Sequence, residues 1–191
     1  MLSQWLRLVG YRAATIGVPF NVDCSDRIVD RVESVVAALH ETSRRRVAVI
    51  GHSRGGHFAR ALGARRPDLI SHAVSLGADL QGLYGISSPT RTAIGVARTA
   101  SGWARRGRSP MCFRTRCTCQ FLRDYAAPFP VEQVRLTSIY SEGDGVVRWE
   151  RAIVEEATCV EVSGSHIGLI ANRKAYAAIG RALGEPELPC P

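Results

Sequence analysis

The chain has 191 residues, 46% of them apolar and 22% charged, enough for one domain with a real core and too few for two. No run approaches the roughly 18 apolar residues that a membrane span requires, and the apolar opening "MLSQWLRLVGYRAATIGV" is broken by Arg7 and Arg12 without a small-residue cleavage site, so it is not read as a signal peptide. The net charge of +8 is concentrated between residues 80 and 125, where Arg91, Arg98, Arg105, Arg106, Arg108, Arg114, Arg116 and Arg123 face one acid, Asp124, which argues one basic surface and against a nucleic-acid footprint over the whole molecule.

In chain order, residues 2–9 read as a short amphipathic helix and "RAATIGV" (12–18) as a strand. From Ser25 to His40 the apolar residues Ile28, Val32, Val35, Val36 and Leu39 fall on one helical face, with Asp23 or Ser25 as cap and Asp26 suited to the first turn. "RVAVIG" (46–51) is an aliphatic run of buried-strand type, and the helix that follows from about Arg54 to Ala64 is stopped before Pro67. "SHAVSLGA" (71–78) is the next strand. Residues 80–125 then lose periodicity and read as an insertion carrying one or two helices. "VRLTSIYS" (134–141) and "TCVEVS" (158–163) restore the strand pattern, and a last helix runs from about Asn172 to Leu183, with Gly184 and Pro186 as stop signals. Strands separated by helices argue a single α/β domain over 1–191 with a mainly parallel sheet.

Six cysteines are present, three of them (Cys112, Cys117, Cys119) in "CFRTRCTC". A zinc site would need a matching Cys or His pair that the sequence lacks, so a local disulfide or plain thiols are the better reading, and no metal is inferred.

The chemistry centres on "VAVIGHSRGGHFARAL" (47–62), where Gly51-His52-Ser53-Arg54-Gly55 fits G-x-S-x-G. The pattern alone is weak in a chain with 18 glycines. Its place at a strand-to-helix junction is informative, because a sharp turn there strains the serine backbone and exposes its hydroxyl. Ser53 would sit at a helix N-terminus, where the backbone N–H of Arg54 can donate to an oxyanion.

Such a serine needs an acid and then a histidine later in the chain. Among His40, His52, His57, His72 and His166, only His166, in "VSGSHIGL", comes late. Asp144 lies in the glycine-flanked "EGDGVV" after a predicted strand, at the carboxyl end of the sheet where catalytic groups gather. Glu142 is the second candidate acid and Asp79 the third, while His52 and His57 are expected to be packing or rim residues.

With "GHSRGG", "SIYSEGDGVV" and the late "GSH" in this order, the sequence resembles α/β-hydrolases of the bacterial serine esterase and lipase kind from Leu2 onward. The resemblance implies Ser53 as nucleophile, His166 as general base and then acid, and Asp144 as the residue that orients the imidazole and stabilises its charged form. It also implies a cap over the site at residues 80–125. The reaction implied is hydrolysis of a small-molecule or lipid carboxylic ester through an acyl-serine, with no cofactor. Acyl transfer is a close relative, and a catalytically impaired fragment acting as an interaction protein is the rival from another class. The arginine-rich segment reads either as a solvated face or as a contact for an anionic surface, and its aromatics are not interleaved as nucleic-acid binding requires. The expected location is cytoplasmic or peripherally membrane-associated.

The sequence departs from the family pattern at its start. "LSQWLRLVGY" resembles the first helix of the fold, and no strand or His-Gly loop is found before it. The expectation is therefore an N-terminally truncated α/β-hydrolase, which is explained by a start annotated too late, by a decayed fragment, or by direct pairing of the "RAATIGV" and "RVAVIG" strands.

Overall fold

The computed structural model describes residues 1–17, 24–83 and 119–188. Four strands form one parallel sheet in the order β1-β2-β3-β4: β1 is Val47–His52, β2 Ile70–Leu76, β3 Arg135–Tyr140 and β4 Thr158–Glu161. The helices are α1 (Leu2–Leu8), α2 (Ser25–Ser43), α3 (Arg54–Arg65), α4 (Gln120–Ala126) and α5 (Arg173–Gly184). Short 3-10 turns cover Trp149–Ala152 and Ile167–Ala171.

Two apolar layers enclose the sheet. On one side Ile28, Val29, Val32 and Val36 of α2 join Phe58 and Leu62 of α3, Phe121 and Tyr125 of α4, and Ile70 and Leu136 of the strands. On the other, Leu6 of α1 and Ala175, Ala178 and Ile179 of α5 meet Val74, Leu76, Ile139 and Val162. This two-sided burial explains why β2, paired on both edges, is buried at all seven positions.

Helix starts follow their chemistry, with one reassignment. Asn172 caps α5, its Oδ1 accepting from the amides of Lys174 (2.8 Å) and Ala175 (3.3 Å). The cap position of α2 is Cys24, whereas Asp23 lies outside the described residues and Ser25 is already helical, its Oγ accepting from Arg54 Nη2 at 2.9 Å. Asp26 does sit in the first turn of α2, yet its carboxylate accepts from the amides of Gln120 (3.2 Å) and Phe121 (2.8 Å) at the start of α4. A side chain from one helix thus satisfies the orphan donors of another.

The expected "RAATIGV" strand is not formed over residues 12–17, and its last residue, Val18, lies outside the described residues. Residues 11–17 carry no strand, and β1 has β2 as its one ladder partner among the described residues. Direct pairing of the two runs is therefore excluded. Ala13 packs against one apolar layer and Ile16 against the other, and Tyr11, Arg12, Ala14 and Thr15 are exposed. Of the segment 80–125, residues 84–118, which hold most of the expected cap and seven of its arginines, lie outside the described residues. The returning end forms α4.

Packing at the β1–α3 junction leaves no room for a side chain. A Cβ on Gly51 would stand 2.0 Å from the carbonyl oxygen of Gly55, and one on Gly56 would stand 2.3 Å from Ser75 Oγ. Gly51→Ala, whose clash is with backbone, is expected to cost more stability than Gly56→Ala, whose clash is with the side chains of Ser75 and Ala78. Losses of about 1–3 kcal/mol, larger for Gly51, should appear in urea unfolding, and an unchanged midpoint for Gly51→Ala would refute the close approach.

Candidate active site

The turn between β1 and α3 forces Ser53 into a backbone conformation that L residues rarely adopt, φ 54° and ψ −125°. Two hydrogen bonds hold it there: its N–H donates to the carbonyl of Leu76 and its own carbonyl accepts from Gly56 N–H, both at 2.8 Å. Such strain costs on the order of 1–3 kcal/mol and persists where surrounding structure over-determines it. The strained residue is the serine that the G-x-S-x-G pattern singles out. Arg54 opens α3, so its amide lies at the helix N-terminus, the positive end of the helix dipole. Its guanidinium turns toward α2, bonding Ser25 and lying 5.0 Å over the Phe58 ring.

Asp144 and His166 meet at the carboxyl end of the sheet. Asp144 Oδ2 lies 2.6 Å from His166 Nδ1, with both side chains almost fully buried (2% and 8% exposed). The other oxygen, Oδ1, accepts from the amides of Val146 and Val147 at 2.9 Å each. Burial opposes the carboxylate charge. The hydrogen bonds from His166, Val147 and Val146, together with attraction to the imidazole, outweigh it and hold Asp144 below the ordinary carboxylate range. An ionised Asp144 accepts a hydrogen bond from Nδ1–H of His166, which fixes that tautomer and leaves Nε2 as the basic nitrogen.

The acid and histidine loops are tied together by Ser141. Its Oγ donates to the Gly164 carbonyl at 2.6 Å and accepts from Gly143 N–H at 3.1 Å. Gly77, at φ 57° just past β2, lies under the pair: a Cβ there would stand 3.0 Å from Asp144 Oδ2 and 3.3 Å from His166 Nδ1. The elbow reaches this pair through His52, whose Nε2 is 2.8 Å from the His166 carbonyl and whose ring lies 4.7 Å from the His166 ring.

The other candidate acids do not bond to His166. Asp79 is buried and binds Arg151 Nε at 2.7 Å and Gly82 N–H at 2.8 Å. Glu142 is exposed. Asp144 is thus the carboxylate that the fold brings to His166. His57 is a packing residue as expected, set edge-on to Tyr125 at 5.4 Å. His52, expected to be a packing or rim residue, instead bonds to the histidine loop. Ser141 and Gly77 carried no signal in the sequence beyond their place at strand ends.

A parallel sheet flanked by helices, with a strained serine at a strand–helix turn and an Asp–His pair beyond later strands, defines an α/β-hydrolase. The family model of palmitoyl protein thioesterase matches residues 21–127, more than half of the chain, and the protein belongs to that family. The match includes Ser53 and ends before Asp144 and His166. No curated protein matches the chain. Among solved structures, polyneuridine aldehyde esterase is similar with a TM-score of 0.56 at 16% identity, over 94% of this chain and 92% of that one. An extracellular α/β-hydrolase from a Paenibacillus species is similar with a TM-score of 0.57 at 19% identity, over 95% and 91%. Mouse alpha/beta hydrolase domain-containing protein 10 gives 0.54 at 15%, over 94% and 79%. At these identities the likeness is one of fold.

Burial sets how the protein responds to acid. Desolvation is the largest effect on His57; a hydrogen bond to the Asp79 backbone opposes it and Arg54 and Arg60 add to it, leaving its pKa at about 4. The unfolded chain takes up this proton near pH 6.5 and the folded one near 4, so the stabilisation is present above 6.5 and drains as pH falls between the two. His52 and His72, also lowered chiefly by desolvation, act in the same sense. Denaturant melts should lose stability from pH 6.5 toward 4, by about 3 kcal/mol from His57 alone. His57→Phe should flatten that slope. An equally steep slope in the variant would show that His57 is not the group responsible.

Proposed function

We propose that the protein hydrolyses acyl esters, thioesters included, through an acyl-enzyme on Ser53. The observation that carries this reading is the conjunction of a strained serine at the elbow with the 2.6 Å Asp144–His166 hydrogen bond, joined by His52. In the reaction His166 Nε2 accepts the Ser53 hydroxyl proton as Oγ attacks the carbonyl carbon. Asp144 stabilises the imidazolium through the Nδ1 bond. The Arg54 amide, aided by the helix dipole, donates to the oxyanion. Collapse of the tetrahedral adduct passes the proton from His166 to the departing alcohol or thiol and leaves acyl-Ser53. Water then repeats the sequence and releases the acid. An alcohol in place of water would make the same chemistry an acyl transfer.

The arginines of residues 80–125 favour a substrate presented on an anionic surface. Of these, Arg123 is described; it lies on α4 and bonds Gln120 Oε1. Turnover of an acyl ester in anionic vesicles should therefore fall steeply with added salt, while turnover of a neutral soluble ester should not. Equal salt dependence would remove this preference.

Hydrolysis of an aryl ester and of an acyl thioester should drop by on the order of 10⁴–10⁶-fold in Ser53→Ala, and a fluorophosphonate probe should add its mass to the peptide containing Ser53. Equal activity in the variant, or no labelling of folded protein, would overturn the reading and favour a non-catalytic member of the family.

A further inference from the structure

We infer that His52 is a positioning residue, which locks the backbone of His166 to the end of the nucleophile strand through its Nε2–H bond to the His166 carbonyl. This rests on the reading of Ser53, Asp144 and His166 as a triad, and goes beyond it by assigning the third fixed point of the base.

A general base must be held against rotation of its ring and against displacement of its backbone. Asp144 supplies the first restraint by fixing Nδ1. For the second, the buried His166 has the Ser141–Gly164 bond two residues before it and the His52 bond at its own carbonyl. Gly164, at φ 153°, lies two residues earlier, and His166 opens a 3-10 turn that places Ile167 at 74% exposure. Within that turn Ser165 Oγ accepts from Gly168 N–H at 3.2 Å, a bond local to the turn that fixes nothing to the sheet. His52 stands in register opposite Leu76 at the end of the β1–β2 ladder. Its bond to the His166 carbonyl carries the position of that ladder into the loop.

The protonation chemistry agrees with this role. A carbonyl only accepts, so the Nε2 of His52 carries the hydrogen, and in the neutral ring Nδ1 is then unprotonated. The two rings lie 4.7 Å apart at 45°. When His166 takes the serine proton, a charged His52 beside it would oppose that step. Desolvation, the largest effect on His52, together with repulsion from His166, keeps His52 neutral at ordinary pH against the opposing pull of the hydrogen bond and of Asp144. His52 therefore provides a donor without adding a charge.

The test compares His52→Phe, which keeps a flat ring without the donor, with His52→Gln, which restores an N–H at similar reach. Circular dichroism confirms that each is folded. In the Phe variant kcat should fall about 10–100-fold with KM within about twofold, and the pH midpoint of fluorophosphonate labelling should shift. The Gln variant should recover most of the loss. The far-downfield proton resonance of the Asp144–His166 hydrogen bond, read without substrate, should broaden or vanish in Phe and persist in Gln. A Phe variant with wild-type kcat and an intact resonance would overturn the inference. So would equal impairment of Phe and Gln, which would assign His52 to ring packing alone. If the wild type neither turns over nor labels, the triad reading fails, while the resonance across the series still decides whether His52 positions His166.

Discussion

The site depends on how closely β1 and α3 approach one another. A strand that turns into a helix in a single residue has to place that residue at positive φ, and Ser53 is there at 54°. The turn closes only because Gly51 and Gly56 bring no side chains to the crossing, where the Gly55 carbonyl and Ser75 Oγ fill the space that a Cβ would need. In return the serine is held at the head of α3, at the positive end of the helix dipole. Displacing the helix by the width of a methyl group would relax the strain and lose that placement together.

The second part of the site is built from shared polar groups. Asp144 has two carboxylate oxygens and three described donors: two amides of its own loop on one oxygen and His166 on the other. Ser141 bonds across to Gly164, so the acid loop and the histidine loop form one unit before any substrate binds. In the proposed mechanism such preorganisation matters, because a base that reorients during the reaction spends part of its driving force on moving.

The sheet was legible in the sequence wherever an aliphatic run ended in glycine or a cap, since burial on both faces writes itself as continuous apolar residues. "RVAVIG", "SHAVSLGA", "VRLTSIYS" and "TCVEVS" all correspond to strands, with ends displaced by one or two residues where Gly77 and Gly164 turn the chain. The Asp144–His166 pair was legible because chain order and position at strand ends are linear properties. "RAATIGV" failed because its composition suits a strand, while pairing depends on how the chain is placed against a neighbour, which is not a local property. Asp26 and His52 show the same limit: each reads as a local residue, and each acts on a segment far away in sequence, Asp26 on α4 and His52 on the loop of His166.

Strand β1 is supported unequally, which explains where its side chains reach. Among the described residues β1 has a ladder on one edge, and all its positions are half-buried while those of β2 are fully buried. A one-sided ladder resists sliding less well, and restraint has to come from the ends. At the start of β1, Arg46 donates to the carbonyls of Gln133 at 2.8 Å and Pro67 at 3.3 Å, and to that of Leu188 beyond α5. At its finish, His52 bonds to His166, and Arg54 just beyond bonds to Ser25 on α2. Three side chains, one at the strand's start and two at its finish, thus take over part of what a second ladder would do. Two of the three flank Ser53 directly, so the bonds that steady the strand also set the serine's place relative to His166.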